Sequence, residues 1–207
     1  MKYHFSAGNL KEAEALVMRY HYSQRTPGGT MLVVCLHEDG GLFGDTGEAI
    51  AACFFGKPPT RWSEPVIELT RLVRKPDMKP PLVSLISFGI RILKKRRVGL
   101  VDSFADSTQG HHGGVYQAAS WEYAGKRDRA CDGLIVNGQF IPGRTCNNNW
   151  GTRSPERLCG MHPEWDIKPH YDEGKHCYFK TPTKAGKAAV ARLGLSSLPY
   201  PKPRNEA

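Results

Sequence analysis

The chain has 207 residues, of which 40% are hydrophobic and 10% aromatic, enough for one packed core in a single domain with or without an extension. No run of about 18 apolar residues occurs, which excludes a membrane-spanning helix. The start, MKYHFSAGNLKEAEAL, lacks the apolar centre of a secretory signal, so a cytoplasmic location is expected. The formal charge is +9, from 29 Lys and Arg against 20 Asp and Glu, a balance that favours anionic partners, nucleic acid foremost.

Residues 2–7 alternate and predict a first strand. In NLKEAEALVMRYHYS, Asn9 is placed to cap a helix, Glu12 follows three residues on, and Leu10, Ala13, Leu16 and Val17 form an apolar stripe. The helix should run out near His21–Ser23, before the loop RTPGG. TMLVVCLHEDGG and EAIAACFFGKPP read as strands, with Cys35 and Cys53 as small buried side chains. VIELTRLVRKP is a further strand, whose alternation sets Leu69 and Arg71 on one face. After Pro76, Pro80 and Pro81, PLVSLISFGIRILKKRR predicts a helix with Leu82, Leu85, Ile86, Ile90 and Leu93 on one face and cations in its last turn.

VGLVDSFAD is a short buried strand. HHGGVYQAASWEYAG predicts a helix ending at Gly125, with His112, Tyr116 and Tyr123 sharing a face. GLIVNGQFIPG is a hairpin turning at Asn137-Gly138. The chain beyond Arg144 reads as irregular until the strand KHCYFK, and SLPYPKPRNEA reads as a loose tail. The expected organisation is one domain over residues 1–180 with an extension over 181–207. The class is α/β or α+β, a mixed central sheet flanked by helices, and the element order resembles the acetyltransferase-type (GNAT-type) fold.

The stretch ADSTQGHHGGVYQAASW admits two readings. Asp106 falls at the C-terminal end of a buried strand, where open sheets bind ligands, and a glycine-rich turn into a helix suits an anion. Alternatively Asp106 or Ser107 caps a turn while Tyr116 and Trp121 pack the helix on the sheet. His21 and Tyr22 stand where a helix frays into a loop. Arg71 lies in an apolar strand, where it is costly to bury unless paired or aimed at a site rim. Cys131, Cys146, Cys159, His162, His176 and Cys177 lack the paired spacing of a structural zinc site, and a cytosolic chain of this size does not need disulfides. The long segment with Arg144, Asn147, Trp150, Arg153 and Arg157 interleaves basic, amide and aromatic groups suited to phosphate and base contacts.

Taken together, YHYS, LTRLV, ISFGIRIL, SFADSTQGHHGGVYQAASWEYAG, VNGQFIPGRTCNNNWGTRS, GKHCYF and PYPK resemble, in this order, the Mom family of phage DNA-modification proteins, over roughly residues 18–202. The resemblance implies an acetyltransferase-like fold and transfer of a carbamoylmethyl group to N6 of adenine in phage DNA, which shields that DNA from host restriction enzymes. The partners it implies are double-stranded DNA with a flipped adenine and a small-molecule group donor, in the host cytoplasm. It implies site roles for Asp106, Tyr116, Arg71 and Ser84. It also implies bound iron, with His21, Tyr22, Asp106 and Tyr116 as ligands, since imidazole, carboxylate and phenolate suit oxidised iron. One departure concerns the donor. Acyltransferases of this type hold a pyrophosphate on a glycine-rich loop after the strand that LTRLV resembles, but here the loop is RKPDMKPPLVS, whose prolines lack N–H donors. Arg74, Lys75 or the helix start near Ser84 are the remaining groups for a donor. A conventional acyl-CoA N-acyltransferase and a non-enzymatic basic DNA-binding protein are the alternatives.

Overall fold

A computed structural model describes residues 3–39, 46–58 and 62–202. Residues 2, 40–41 and 59, expected in or beside strands, and residues 203–207 of the expected tail lie outside the described residues. The chain forms two compact units instead of the expected domain and tail: Met1–Phe104 with Gly113–Gly125 and Cys177–Ala207, and Ala105–His112 with Lys126–His176.

The first unit is organised by strands β1 (Tyr3–Ala7), β2 (Thr30–Asp39), β3 (Thr46–Gly56), β4 (Val66–Arg74), β5 (Leu100–Asp106), β6 (Glu122–Lys126) and β10 (Lys175–Lys180). They form a seven-stranded sheet in the order β1-β2-β3-β4-β5-β10-β6. β1 to β4 are antiparallel neighbours, and β4 pairs with β5 in parallel. The chain passes between the units within β5, β6 and β10.

Helix α1 (Leu10–Tyr20) starts where Asn9 accepts a hydrogen bond from the Glu12 amide at 3.3 Å. It stops where His21 turns extended. Its Ala13, Leu16 and Val17 pack on Val33, Cys35, Ala52, Phe54 and Val73. α2 (Leu82–Lys95) buries Leu85, Ile86, Gly89 and Leu93. A Cβ at Gly89 would run into the Phe55 ring, and Phe88 stacks on Phe5 with centroids 5.5 Å apart. Phe54 and Phe55 are adjacent on β3, so their side chains point to opposite faces, and each face receives one helix.

Helix α6 (Lys184–Arg192) corrects the expected extension. Ala189 packs with Val66, Leu100 and Phe179, Leu198 bridges to Tyr123, and the Tyr200 hydroxyl donates to the Trp121 carbonyl at 2.8 Å. Residues 184–200 therefore complete the core. The expected helix to Gly125 is also shorter. α3 spans only Gly114–Ala118, Ser120 takes a positive φ of 55°, and Tyr123 belongs to β6, so Tyr116 and Tyr123 do not share a helix face and His112 precedes the helix. Trp121, 1% exposed, is core.

The second unit holds a three-stranded sheet in the order β8-β7-β9, from β7 (Cys131–Val136), β8 (Gln139–Pro142) and β9 (Ile167–Tyr171). Asn137 and Gly138, with φ of 50° and 81°, make the expected hairpin turn. The expected irregular segment instead holds two helices, α4 (Gly143–Trp150) and α5 (Pro155–Met161), and strand β9. Gly151 ends the first in the left-handed region, and Ser154 caps the second by accepting from the Arg157 amide, with Pro155 at its first position. Leu134, Val136, Cys146 and Leu158 form a small core flanked by Trp150 and Trp165. All six cysteines of the chain are free thiols.

Candidate active site

In the first unit, the paired register of β4 and β5 is Val66 with Leu100, Ile67 with Val101 and Glu68 with Asp102, whereas β4 runs on to Arg74 and β5 to Asp106. The two parallel strands part after Glu68 and Asp102. Backbone groups left at such a parting need other partners. Ser103 Oγ supplies one, lying 2.8 Å from the Leu69 carbonyl and 2.8 Å from the Tyr116 hydroxyl. A carbonyl only accepts, so the single Ser103 proton goes to Leu69 and Tyr116 donates to Ser103.

A β-bulge sits beside this parting. Phe55 pairs with Leu69 and Phe54 with Arg71, which leaves Thr70 as an extra residue. The bulge overturns the expected alternation. Arg71 falls on the side of Phe54 and Glu68, facing α1, and not on the side of Leu69. There Arg71 Nε donates to Ser23 Oγ at 3.1 Å, and Nη1 donates to the Thr70 carbonyl at 2.6 Å. His21 Nδ1 accepts from the Ser23 amide at 3.1 Å and lies 2.9 Å from Ser23 Oγ. The order Arg71, Ser23, His21 is thus a relay of donors, and a neutral His21 ring carries its proton on Nε2. The Tyr22 ring lies 4.4 Å from that of His21, and Tyr22 is 54% exposed.

Burial, first of all, pushes the Tyr116 phenol far above its ordinary range. The Ser103 hydrogen bond opposes the shift, and the nearby Cys53, Tyr22 and Glu68 add to it. Tyr116 is a protonated phenol at neutral pH. Its ring packs among Trp121 and Tyr178, with centroids at 5.4 and 5.3 Å.

Sequence reasoning missed two carboxyl groups here. Glu68 and Asp102 are buried side by side at the last paired position, and Trp62 Nε1 donates to Asp102 Oδ2 at 2.8 Å. The available signal was an acid inside each of two apolar strand runs, which burial penalises unless it is paired. Ser23 and Ser103 carried no comparable signal.

Ser84 lies exposed in the first turn of α2, which has no side-chain cap. The two cations expected near the donor are engaged locally. Arg74 Nη1 donates to the carbonyls of Pro76 and Met78, and Lys75 pairs with Glu48 at 3.0 Å. Asp106 belongs to the second unit. Its Oδ1 accepts from the Thr108 amide at 3.0 Å, and Lys175 Nζ stands 3.8 Å from Oδ2. Lys175 also lies 3.6 Å from Asp172. Burial works to raise Asp172 but is outweighed by donation from the Ala130 and Gly174 amides and by Lys175, which leaves its carboxyl below the usual range. Arg144, Asn147, Arg153 and Arg157 are exposed on or beside α4 and α5.

The Mom protein family profile matches residues 2–202. The chain belongs to the Mom family. No curated protein matches it. Among solved structures it is similar to the ribosomal-protein-S18-alanine N-acetyltransferase from Escherichia coli, at 12% identity and a TM-score of 0.50, covering 90% of this chain and 97% of that one. It is likewise similar to a probable acetyltransferase from Staphylococcus epidermidis, at 11% identity, a TM-score of 0.51 and coverage of 88% and 100%. A putative acetyltransferase from Salmonella typhimurium with its cofactor acetyl-CoA matches at 7% identity, a TM-score of 0.51 and coverage of 89% and 96%. These likenesses show the expected fold, a mixed sheet of acetyltransferase type.

The iron that resemblance to the Mom family implies can be tested against the side chains. Tyr116 is held as a phenol donating to Ser103. His21 Nδ1 is already an acceptor, and ligation through Nε2 would move the proton to Nδ1 and cost the Ser23 bond. Among the described residues no group of three or more His, Cys, Asp or Glu is placed to hold a metal ion. To bind iron, Tyr116 and His21 would each have to give up these hydrogen bonds. No helix among the described residues is long and apolar enough to cross a membrane.

Proposed function

We infer that this protein transfers a carbamoylmethyl group to N6 of adenine in DNA, with the parting of β4 and β5 as the reaction site. The observations that carry the reading are the relay from Arg71 through Ser23 to His21 and a protonated Tyr116 within electrostatic reach of Tyr22, in a chain of the Mom family. The N6 lone pair is delocalised into the ring, so the amine needs help. A bond forms between N6 and the donor methylene carbon, the bond from that carbon to its leaving group breaks with its electron pair, and the N6 proton passes to a base. Arg71 holds the donor carbonyl oxygen. Tyr116, kept protonated by burial, gives a proton to the leaving group. Asp106, a site residue that the resemblance to the Mom family implies, is the proposed base. The exposed Tyr22 ring offers a face on which a flipped adenine can stack. Trp121 is buried and unavailable for such stacking. Arg144, Asn147, Arg153 and Arg157 are the proposed phosphate contacts of the second unit.

The test is nucleoside digestion and mass spectrometry of DNA from cells making the protein. Adenine heavier by one carbamoylmethyl unit is expected, and lost with Asp106→Ala or Arg71→Ala. Unmodified adenine alone, with folded protein present, would sink the reading. The fold also serves conventional acyl-CoA transfer, and the likeness to an acetyltransferase with acetyl-CoA favours that second reading. The prolines at 76, 80 and 81, where a pyrophosphate cradle would need N–H groups, oppose it. Saturable acetyl-CoA binding by calorimetry would support it.

A further inference from the structure

Two stretches of this chain contain no acid. Between Asp77 and Asp102 lie Lys79, Arg91, Lys94, Lys95, Arg96 and Arg97, and between Glu173 and Glu206 lie seven bases, Lys184 and Lys187 among them. The fold joins the two stretches. Gly99 and Gly186 meet backbone to backbone: a Cβ on Gly99 would stand 3.3 Å from the Gly186 nitrogen, and one on Gly186 would overlap the Gly99 carbonyl. Glycine at both positions lets α6 approach the turn between α2 and β5. Lys184 and Lys187, at the start of α6, and Lys94 to Arg97, at the end of α2, therefore all lie within a few residues of one contact.

All six cations are exposed, and among the described residues none of them enters an ion pair. For the two lysines on α6 the placement opposes local stability. α6 has no acid in its first turn, so Lys184 and Lys187 face the positive end of their own helix dipole. A bound anion reverses that penalty. The division of charge points the same way. The second unit has eight Lys and Arg against eight Asp and Glu, so the whole +9 resides on the first unit, with 21 against 12. None of the large exposed apolar side chains lies on α6 or the 94–99 turn, so the surface lacks the apolar face with which helices enter a lipid interface.

We propose that this six-cation surface docks the phosphate backbone of duplex DNA without reading its sequence, apart from the reaction site. Helix α2, rising about 1.5 Å per residue, holds Lys94 about 15 Å from Ser84 at its other end. The surface grips DNA beyond the target base and deepens the adenine reading, on which it rests for its partner.

The test measures binding of the full chain to a short labelled duplex by fluorescence anisotropy across a salt series. Each phosphate contact contributes about 0.9 to the slope of log affinity against log salt, so Lys94→Gln, Lys95→Gln, Lys184→Gln and Lys187→Gln together lower the slope by about 3.6 and the affinity at least roughly tenfold. The pair Lys184→Glu and Lys187→Glu guards against misfolding: it relieves the clash with the helix dipole, so thermal stability holds or rises while DNA binding falls. An unchanged slope in both variants overturns the proposal. So does loss of binding to phosphatidylserine vesicles with DNA binding intact, which assigns the surface to lipid. A slope that falls in the variants while cellular DNA contains only normal adenine supports the docking surface and overturns the transfer reading alone.

Discussion

The Ser103 hydroxyl stands 2.8 Å from both the Leu69 carbonyl and the Tyr116 hydroxyl. It joins β4 to β5 where their backbone pairing has ended, and it fixes the phenol at the same point. Tyr116→Phe leaves the Ser103–Leu69 bond in place and should cost at most about 1 kcal/mol in denaturant unfolding, while product formation falls by roughly 10²–10⁴ if the phenol is the acid. Ser103→Ala strands a buried carbonyl and a buried phenol and should cost about 1–3 kcal/mol. Unimpaired turnover in folded Tyr116→Phe removes the phenol from the reaction.

Arg71→Lys keeps the charge but loses the planar fork that reaches Ser23 and the Thr70 carbonyl together. Product formation should fall by roughly 10²–10³. Ser23→Ala, which cuts the relay while keeping Arg71, should fall less. Equal activity in Arg71→Lys and the parent would remove the guanidinium from the site.

Trp62→Phe removes the indole donor from Asp102, a carboxyl with 1% exposure. The expected loss is about 1–3 kcal/mol, read from the urea midpoint. A midpoint equal to the parent's would mean the indole bond contributes nothing net.

Acid should destabilise the chain in two stages. Burial, then the charges of Lys126 and His112, hold His176 below its ordinary 6.5. The unfolded chain therefore binds the extra proton first, and stability declines as pH falls below about 6.5. Asp172 is also held below its ordinary 3.8, so its contribution is present above that value and is lost as pH falls through the lower folded value. His176→Gln should flatten the first stage alone in unfolding curves taken across pH. At the alkaline end Tyr116 runs the other way: its raised folded value means stability is lost as pH climbs past the unfolded value of 10.0.

Gly113 opens α3 at a φ of 85°, and a Cβ there would run into the Tyr178 ring. Gly113→Ala should cost more than about 1 kcal/mol, because both the backbone and the ring must yield. A melting temperature equal to the parent's would show that the ring has room to move.

The fold was legible where one local signal governed. The Asn9 cap, the α1 stripe, the Asn137-Gly138 turn and the apolar β2 and β3 runs all name their elements. It was illegible where a tertiary partner decided. Trp121 and Tyr123 continue a helical pattern on paper, yet the sheet edge takes Tyr123 and the core takes Trp121. The Ser154-Pro155-Glu156 start of α5 is readable as a cap, but the polar residues around it carry no apolar stripe to announce a helix. At the site, the composition of the stretches with His21, Arg71 and Tyr116 drew attention to them. Ser23 and Ser103 could not have been chosen, because a serine acquires its role from what lies across the fold.

Thr70 adds a half-step to β4. Without that extra residue in the register, Arg71 would pair with Cys53, and every side chain from Arg71 to Arg74 would change sides, taking Val73 out of the α1 core. A change of pairing by one position would therefore relocate the guanidinium to the opposite chamber without altering a single atom of it. Deleting Thr70 is a different operation: Arg71 would stay opposite Phe54 but lose the carbonyl that its Nη1 holds. The strand's phase, more than the arginine's identity, decides what that charge can reach.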